Sequence, residues 1–261
     1  MPHLARILLY PIKSLDPLEV SEAAVLATGA LEHDREFALF DDEDRFVNGK
    51  HSPLVHGLSA AFDPSVGALC FAPRTGDRAH RFHWPDDKPV LNAWLSGYFG
   101  RPVTLRRDAA GGFPDDKNAL GPTVISTATL EEVASWFPGL SVESARIRFR
   151  ANLEIGDAPP FWEDRLYGAG DTETPFQIGG VTFHGINPCQ RCVVPPRDPE
   201  SGEGWPEFAQ TFRARREETL PTWADRSRFN HFYRLAVNTR APETEAGKWV
   251  RVGDAVRFPA V

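Results

Sequence analysis

One short segment concentrates groups able to do chemistry: Asn187-Pro188-Cys189-Gln190-Arg191-Cys192. Two thiols at C-x-x-C spacing serve redox exchange when they open a helix after a strand, as in thioredoxin-like units. Here Val193-Val194-Pro195-Pro196 follows, and its prolines exclude a long helix at that point. A structural zinc needs four ligands, and His184 with the two thiols leaves the set short. Two inert thiols satisfy the same spacing, because free cysteine packs as a small apolar residue. Arg191 argues for reactivity: its charge beside Cys192 favours the thiolate, and hence metal binding or nucleophilic attack.

A second set of groups is dispersed. Lys13-Ser14 follows a strand at a proline-led turn, and Arg35 follows Asp34 at the start of another. Ser126-Thr127 lies between a strand and a helix N-terminus, where backbone N–H groups favour anions. Arg150 and Asn152 flank Ala151 in a strand-like run. Such residues suit an oxyanion or phosphate: arginine forks onto it, lysine adds a point charge, and serine and asparagine add hydrogen bonds. Taken singly, each also reads as a solvated charge, an ion pair (Asp34 with Arg35) or a helix cap. The chain has no P-loop, G-x-G-x-x-G, H-E-x-x-H or G-x-S-x-G motif. Glu163-Asp164 is a carboxylate pair whose members point to opposite faces of a strand. His51 and His56 read as loop surface, Arg213-Ala214-Arg215-Arg216 as a solvated helix face, and Trp84, Trp162 and Trp205 as packing residues.

The elements that must position these groups are short. Arg6 to Tyr10 and Arg35 to Phe40 read as strands, the second forming a hairpin with Arg45-Phe46-Val47 across an acidic turn. Val90 to Phe99 is the first helix, and Arg101 to Arg106 alternates like a strand. Pro122 to Ile125 is a strand. Leu130, Val133, Ala134 and Phe137 then make one apolar helix face, with Thr129 and Glu132 as a capping box. Ile147 to Phe149, Leu153 to Ile155, Val181 to His184, Arg234 to Asn238 and Lys248 to Val252 read as strands, and Arg213 to Glu218 as a helix. The class is mainly β or α+β, built on barrels with a few helices. The polar segment from Ala109 to Asp116 is the expected boundary between domains at 1–110 and 111–261.

Composition narrows the function. Of 261 residues, 29 are Lys or Arg and 36 are Asp or Glu, a net charge of −7 that argues against binding nucleic acid through bulk charge. Three cysteines exclude a disulfide scaffold and an all-cysteine zinc or iron–sulfur site. No cleavable signal pattern opens the chain. Its longest run without Asp, Glu, Lys or Arg, Thr174 to Gln190, is interrupted by Pro, Gly, Asn and His, so no membrane helix is expected. The expected location is the reducing cytoplasm.

The ordered set of motifs resembles the MOSC-domain family, in the form preceded by an N-terminal MOSC β-barrel domain. It is similar to the mitochondrial amidoxime-reducing component and to bacterial N-hydroxylated-base reductases. In the first half the resemblance rests on Tyr10-Pro11-Ile12-Lys13-Ser14, Asp34-Arg35 and, less closely, Gly49-Lys50-His51-Ser52-Pro53-Leu54. In the second it rests on Ile125-Ser126, Phe149-Arg150-Ala151-Asn152-Leu153, Phe161-Trp162-Glu163-Asp164, Cys189-Gln190-Arg191-Cys192, Asp198-Pro199-Glu200-Ser201-Gly202-Glu203 and Val252-Gly253-Asp254.

The resemblance implies a molybdenum–pyranopterin cofactor, not pyridoxal phosphate. It makes Cys192 the thiolate ligand of the metal, a soft donor suited to a site that also carries dithiolene sulfur. Lys13, Ser14 and Arg35 match positions that hold the pterin or its phosphate. Ser126 with Thr127, Arg150, Asn152, Gln190 and Arg191 match further cofactor contacts, and His231 falls in a stretch that departs from the family pattern. Cys189 is not the expected ligand. The implied reaction is two-electron reduction of a small N-hydroxylated compound by oxygen atom transfer. No cysteine-rich cluster segment follows Gly253-Asp254, so no built-in iron–sulfur cluster is expected. Electrons are then expected from a separate iron–sulfur, haem or flavin protein. Two alternatives stand beside this: carriage of the cofactor or of sulfur, with a persulfide on Cys192, and a non-catalytic binding module.

Overall fold

A computed structural model describes residues 1–76 and 78–258; Asp77 and the end of the expected second domain, 259–261, lie outside the described residues. The protein is mainly β with a few helices. Eight strands form one sheet in the order Val256–Arg257, Thr174–Ile178, Val181–Gln190, Arg234–Arg240, Val124–Ser126, Leu153–Gly156, His3–Leu9, Leu18–Val20. An antiparallel bridge between His3 and Ala255 joins the strand His3–Leu9 to the residues that lead into Val256–Arg257, closing the sheet. Period-two burial drives the closure. In Val181–Gln190, Val181 and Phe183 are buried while Thr182 and His184 are half-exposed. The inward residues, among them Leu4, Ile7, Leu153, Ile155, Phe176 and Phe183, make one continuous core.

His3–Leu9 runs antiparallel to Leu153–Gly156 on one side and to Leu18–Val20 on the other, so the first residues of the chain complete the barrel of the second half. The parallel pair Val124–Ser126 and Leu153–Gly156 needs a crossover. Helices Thr127–Ser135 and Val142–Phe149 supply it. They pack with helix Phe208–Glu218 on the outside of the barrel through stacked rings, Phe137 and Phe208 lying 4.3 Å apart.

The other core belongs to the first half. It gathers a three-stranded sheet (Leu58–Asp63, Ala68–Pro73, His80–His83), the pair Phe37–Phe40 and Thr104–Arg107, and helix Lys88–Phe99. That helix presents Leu91, Leu95 and Phe99 to the core and stops at Gly100, whose φ of 65° suits a left-handed C-cap.

Three local expectations are corrected. Ile147 to Phe149 is helical: Ser141 caps Val142–Phe149, and the alternating Arg-Ile-Arg-Phe-Arg imitated a strand. Ser126, not Thr129, is the cap of Thr127–Ser135, its hydroxyl accepting from the Thr129 N–H at 3.1 Å. The hairpin after Phe40 shrinks to a single bridge, Phe40 to Phe46. Asp41 folds the intervening turn onto itself by accepting from the N–H groups of Glu43 and Arg45, and Phe37–Phe40 pairs with Thr104–Arg107 instead.

Candidate functional site

A cavity of about 520 Å³ opens between the two cores, within the size range of small-molecule and cofactor sites. The strand Val181–Gln190 delivers the C-x-x-C segment to it. Its register slips between Gly185 and Asn187 and again between Pro188 and Gln190, two bulges that re-aim the strand end. At Gly185 the strand passes so close to the Leu166 carbonyl that a Cβ has no room. Beyond the second bulge, Cys189, Gln190, Arg191 and Cys192 all reach the cavity wall.

The two thiols differ. Cys189 is buried and donates to Asn238 Oδ1 at 2.7 Å; burial pushes its thiol up to about 11, against the pull of Arg191. Cys192 is half-buried. The wall carries nine lysine and arginine side chains against four aspartates. Among the described residues no group of three His, Cys, Asp or Glu is placed to hold a metal. The excess of cations on the wall suits a ligand that carries negative charge.

Lys13, Ser14, Arg35, Arg150, Gln190, Arg191 and Cys192 all line this cavity. Three of them hold non-glycine left-handed backbone, with φ of 72° at Ser14, 53° at Arg35 and 52° at Arg150. Each such residue costs about 1–3 kcal/mol and survives only where surrounding structure dictates it. Lys13 is buried; its ammonium donates to the Phe113 carbonyl at 2.8 Å and to Asp115 at 3.0 Å. Burial lowers its pKa, partly offset by Asp115. Desolvation works against the charge of Asp115. Lys13, Arg35 and Lys50 outweigh it and hold that carboxyl well below the usual range. Arg35 donates to Asp34, as the ion-pair expectation had it. Arg191 donates to the Phe149 carbonyl at 2.6 Å, while its Nε is buried without a partner among the described residues. Arg150 makes no side-chain hydrogen bond or ion pair among the described residues and lies over the Tyr10 ring, 4.0 Å from its centroid. Burial pulls its pKa down.

Four expected residues lie off the wall. Ser126 is fully buried and spends its hydroxyl on Thr129 and the Pro159 carbonyl; Thr127 donates to Glu154 at 2.9 Å. Asn152 donates to Leu8 O and Asp34 and accepts from Thr123 N–H and Oγ1, which leaves no atom for a ligand. It acts beneath the site, holding Asp34 and so Arg35. His231 accepts from the Tyr233 N–H at 3.2 Å.

Several wall residues escaped the sequence reading. His56, read as loop surface, is buried against Gly49 and Gly202, and burial lowers its pKa. Arg148 reaches the Pro195 and Arg197 carbonyls and so fixes the segment after Cys192. Arg197, Arg234, Asn187 and Asn238 also line the cavity. Only the closeness of Arg148 to Arg150 and of Asn187 to Cys189 hinted at any of them. Arg216, read as solvated, is almost wholly buried and pairs with Asp164; neither lines the wall, though the Arg216 Nε donates to the carbonyl of the wall residue Arg234 at 3.4 Å. Glu163 and Asp164 are buried side by side on a 3₁₀ turn, Trp162–Arg165, rather than on a strand.

Comparison with known proteins agrees with this layout. The family model described as the MOSC N-terminal beta barrel domain matches residues 1–102, and that of the MOSC domain matches residues 119–257. The chain is 25% identical to the molybdenum cofactor sulfurase of Solanum lycopersicum over 307 residues, which covers 97% of this chain and 35% of that protein. For the protein of the same name from Caenorhabditis briggsae the identity is 24%, with 99% and 36% covered. For that from Homo sapiens it is 22%, with 77% and 27% covered. The chain thus spans about a third of the length of these curated relatives. No helix of the described residues is long and apolar enough to cross a membrane.

Proposed function

The chain belongs to the MOSC family, carrying its N-terminal β-barrel domain and its MOSC domain, and on that premise we propose that the cavity holds a molybdenum–pyranopterin for a two-electron reductase of N-hydroxylated compounds. One observation carries this reading. Arg150, Arg191 and Arg197 face the cavity without a carboxylate partner among the described residues, around a half-buried thiol. A desolvated cation without a counter-charge is costly, and a phosphate-bearing ligand supplies the missing charge.

Arg150 and Arg191, with Lys13 and Ser14 on the same wall, would bind the phosphate and fix the pterin. Cys192 would give its thiolate to the metal, and Gln190 and Arg191 would orient that thiolate through the turn that follows the bulged strand. Asn152 and Asp34 hold Arg35 in register from below. When bound, the cofactor supplies oxygen atom transfer from an amidoxime or a hydroxylamino purine. The electrons come from a separate iron–sulfur, haem or flavin protein.

A second reading is favoured by the printed names of the relatives, all molybdenum cofactor sulfurases: the same cavity carries the cofactor, or Cys192 carries sulfur as a persulfide, without reducing a substrate. Both are tested on protein purified from a host that makes the cofactor. About one molybdenum per chain with a fluorescent pterin on oxidation is expected, lost in Cys192→Ala and largely kept in Cys189→Ala. Metal-free protein, or equal losses in both variants, refutes the ligand assignment. Loaded protein that turns over no N-hydroxylated compound favours carriage.

A further inference from the structure

Tyr10 is wholly buried and takes no part in the cavity wall. Its hydroxyl has no hydrogen-bond partner among the described residues, so the O–H does not explain a tyrosine at this position. The rest of the residue is engaged. Its N–H donates to Asp34 Oδ1 at 2.9 Å, and its carbonyl accepts from the Arg35 N–H at 2.9 Å, so its backbone clasps the Asp34-Arg35 turn. Its ring lies beneath two guanidiniums, with Arg150 at 4.0 Å and Arg35 at 5.8 Å from the centroid.

We propose that Tyr10 is a positioning residue whose ring face holds Arg150 so that it presents its charge to an anionic ligand, while Arg35 beside it stays paired with Asp34. The inference rests on the anion-binding reading above and adds a residue that touches no ligand. A cation over an aromatic face is attracted by the ring quadrupole, most strongly where water is excluded. That attraction orients a guanidinium without neutralising it, unlike a carboxylate. Asp34 and Asp115 both lie near enough to act on Arg150 electrostatically. Without the ring, Arg150 collapses onto one of them and its charge is lost to the cavity.

The test uses the full chain from a host that makes no pterin, titrated with inorganic phosphate by calorimetry. Tyr10→Phe is expected to bind within about twofold of the unaltered chain, since the hydroxyl is idle. Progressive fluorination of that phenylalanine drains the ring quadrupole at nearly constant shape. Affinity is expected to fall stepwise, to about a tenth at full fluorination, with the melting temperature lowered by only a few degrees. The same series on an Arg150→Leu background is expected to be flat. A flat series on the native background, or loss of binding in Tyr10→Phe, overturns the role of Tyr10 alone. Absence of phosphate binding by the unaltered chain overturns the anion cradle itself, and the proposal with it.

Discussion

Replacing Arg216 with methionine tests how far the barrel depends on one buried ion pair. Arg216 is 1% exposed and Asp164 3%, and they pair inside the packing of helix Phe208–Glu218 on the barrel. Glu163 lies next to Asp164, equally buried, accepting from Ser126 N–H at 3.2 Å and Thr129 Oγ1 at 3.0 Å while its other oxygen has no partner. Burial and then the charge of Asp164 raise the Glu163 pKa to about 8; burial raises that of Asp164 too, with Arg216 pulling the other way, so the negative charge of the pair sits on the carboxylate that Arg216 holds. The guanidinium also packs over Phe161 at 4.2 Å and Phe229 at 5.1 Å. Arg216→Met leaves the Asp164 charge buried alone, which costs about 3–5 kcal/mol, a large part of the roughly 5–15 kcal/mol that holds a domain together. At 2–4 °C per kcal/mol for a chain approaching this size, the melting temperature falls by roughly 10 °C. Adding Asp164→Leu removes the orphaned charge, and Arg216→Met with Asp164→Leu is expected to recover to within about 1–2 kcal/mol of the unaltered protein. Urea midpoints followed by circular dichroism read both. A single variant as stable as the parent, or a double variant no better than the single, refutes the account of one compensated charge in a dry site.

Other predictions are more local. Ser126→Ala removes a buried helix cap and should lower stability by about 1–2 kcal/mol in chemical denaturation, yet leave molybdenum content unchanged, because Ser126 lies off the cavity wall. Iodoacetamide at pH 8 should label Cys70 and Cys192 in folded chain purified from a host that makes no pterin, and Cys189 only after unfolding, as peptide mass spectrometry can read, because Cys189 is buried with its thiol pushed up to about 11. Asp115 titrates below its ordinary value in the folded chain, so its strut to Lys13 contributes above about pH 4 and is lost as pH falls through the folded value. Protection of the amides around Phe113, taken relative to the intrinsic exchange rate at each pH, should fall in acid in the parent, and Asp115→Asn should show that lower protection at neutral pH.

The legible parts of the fold were those with local causes. The helix carrying Leu130, Val133 and Ala134 shows its period, and the first strand shows its apolar run. The C-x-x-C segment announced itself through two thiols and an arginine, and Lys13 through a proline-led turn. The illegible parts share one trait: their roles depend on long-range partners. Arg146-Ile147-Arg148-Phe149-Arg150 alternates like a strand, but it folds as a helix because Arg146 reaches Glu154 and Arg148 reaches the Pro195 and Arg197 carbonyls. Arg216 sits among charged neighbours that are themselves exposed, and only Asp164, fifty-two residues away, explains its burial. His56 is a loop residue by every local sign, and the Asp198–Gly202 turn that covers it belongs to the other half of the chain.

The cavity also gives an acidic protein a positive site suited to the proposed anion. Its cations fall into two groups by the partner that holds them. Arg35 and Arg74 are matched by Asp34 and Asp16, and Lys13 and Lys50 share Asp115. This first-half group is nearly neutral and serves as a brace. Arg191 and Arg234 are held by the carbonyls of Phe149 and Pro188, and Arg150 by a ring. A carbonyl or a π-face satisfies the geometry of a guanidinium and leaves its charge intact. The positive field of the cavity therefore arises chiefly from the second-half group, next to Cys192. The net charge of −7 is spread over the whole chain, and at physiological salt a charge more than about 8 Å away is largely screened. An anion inside the cavity feels the arginines it touches, and the acidic exterior has little say in whether it stays.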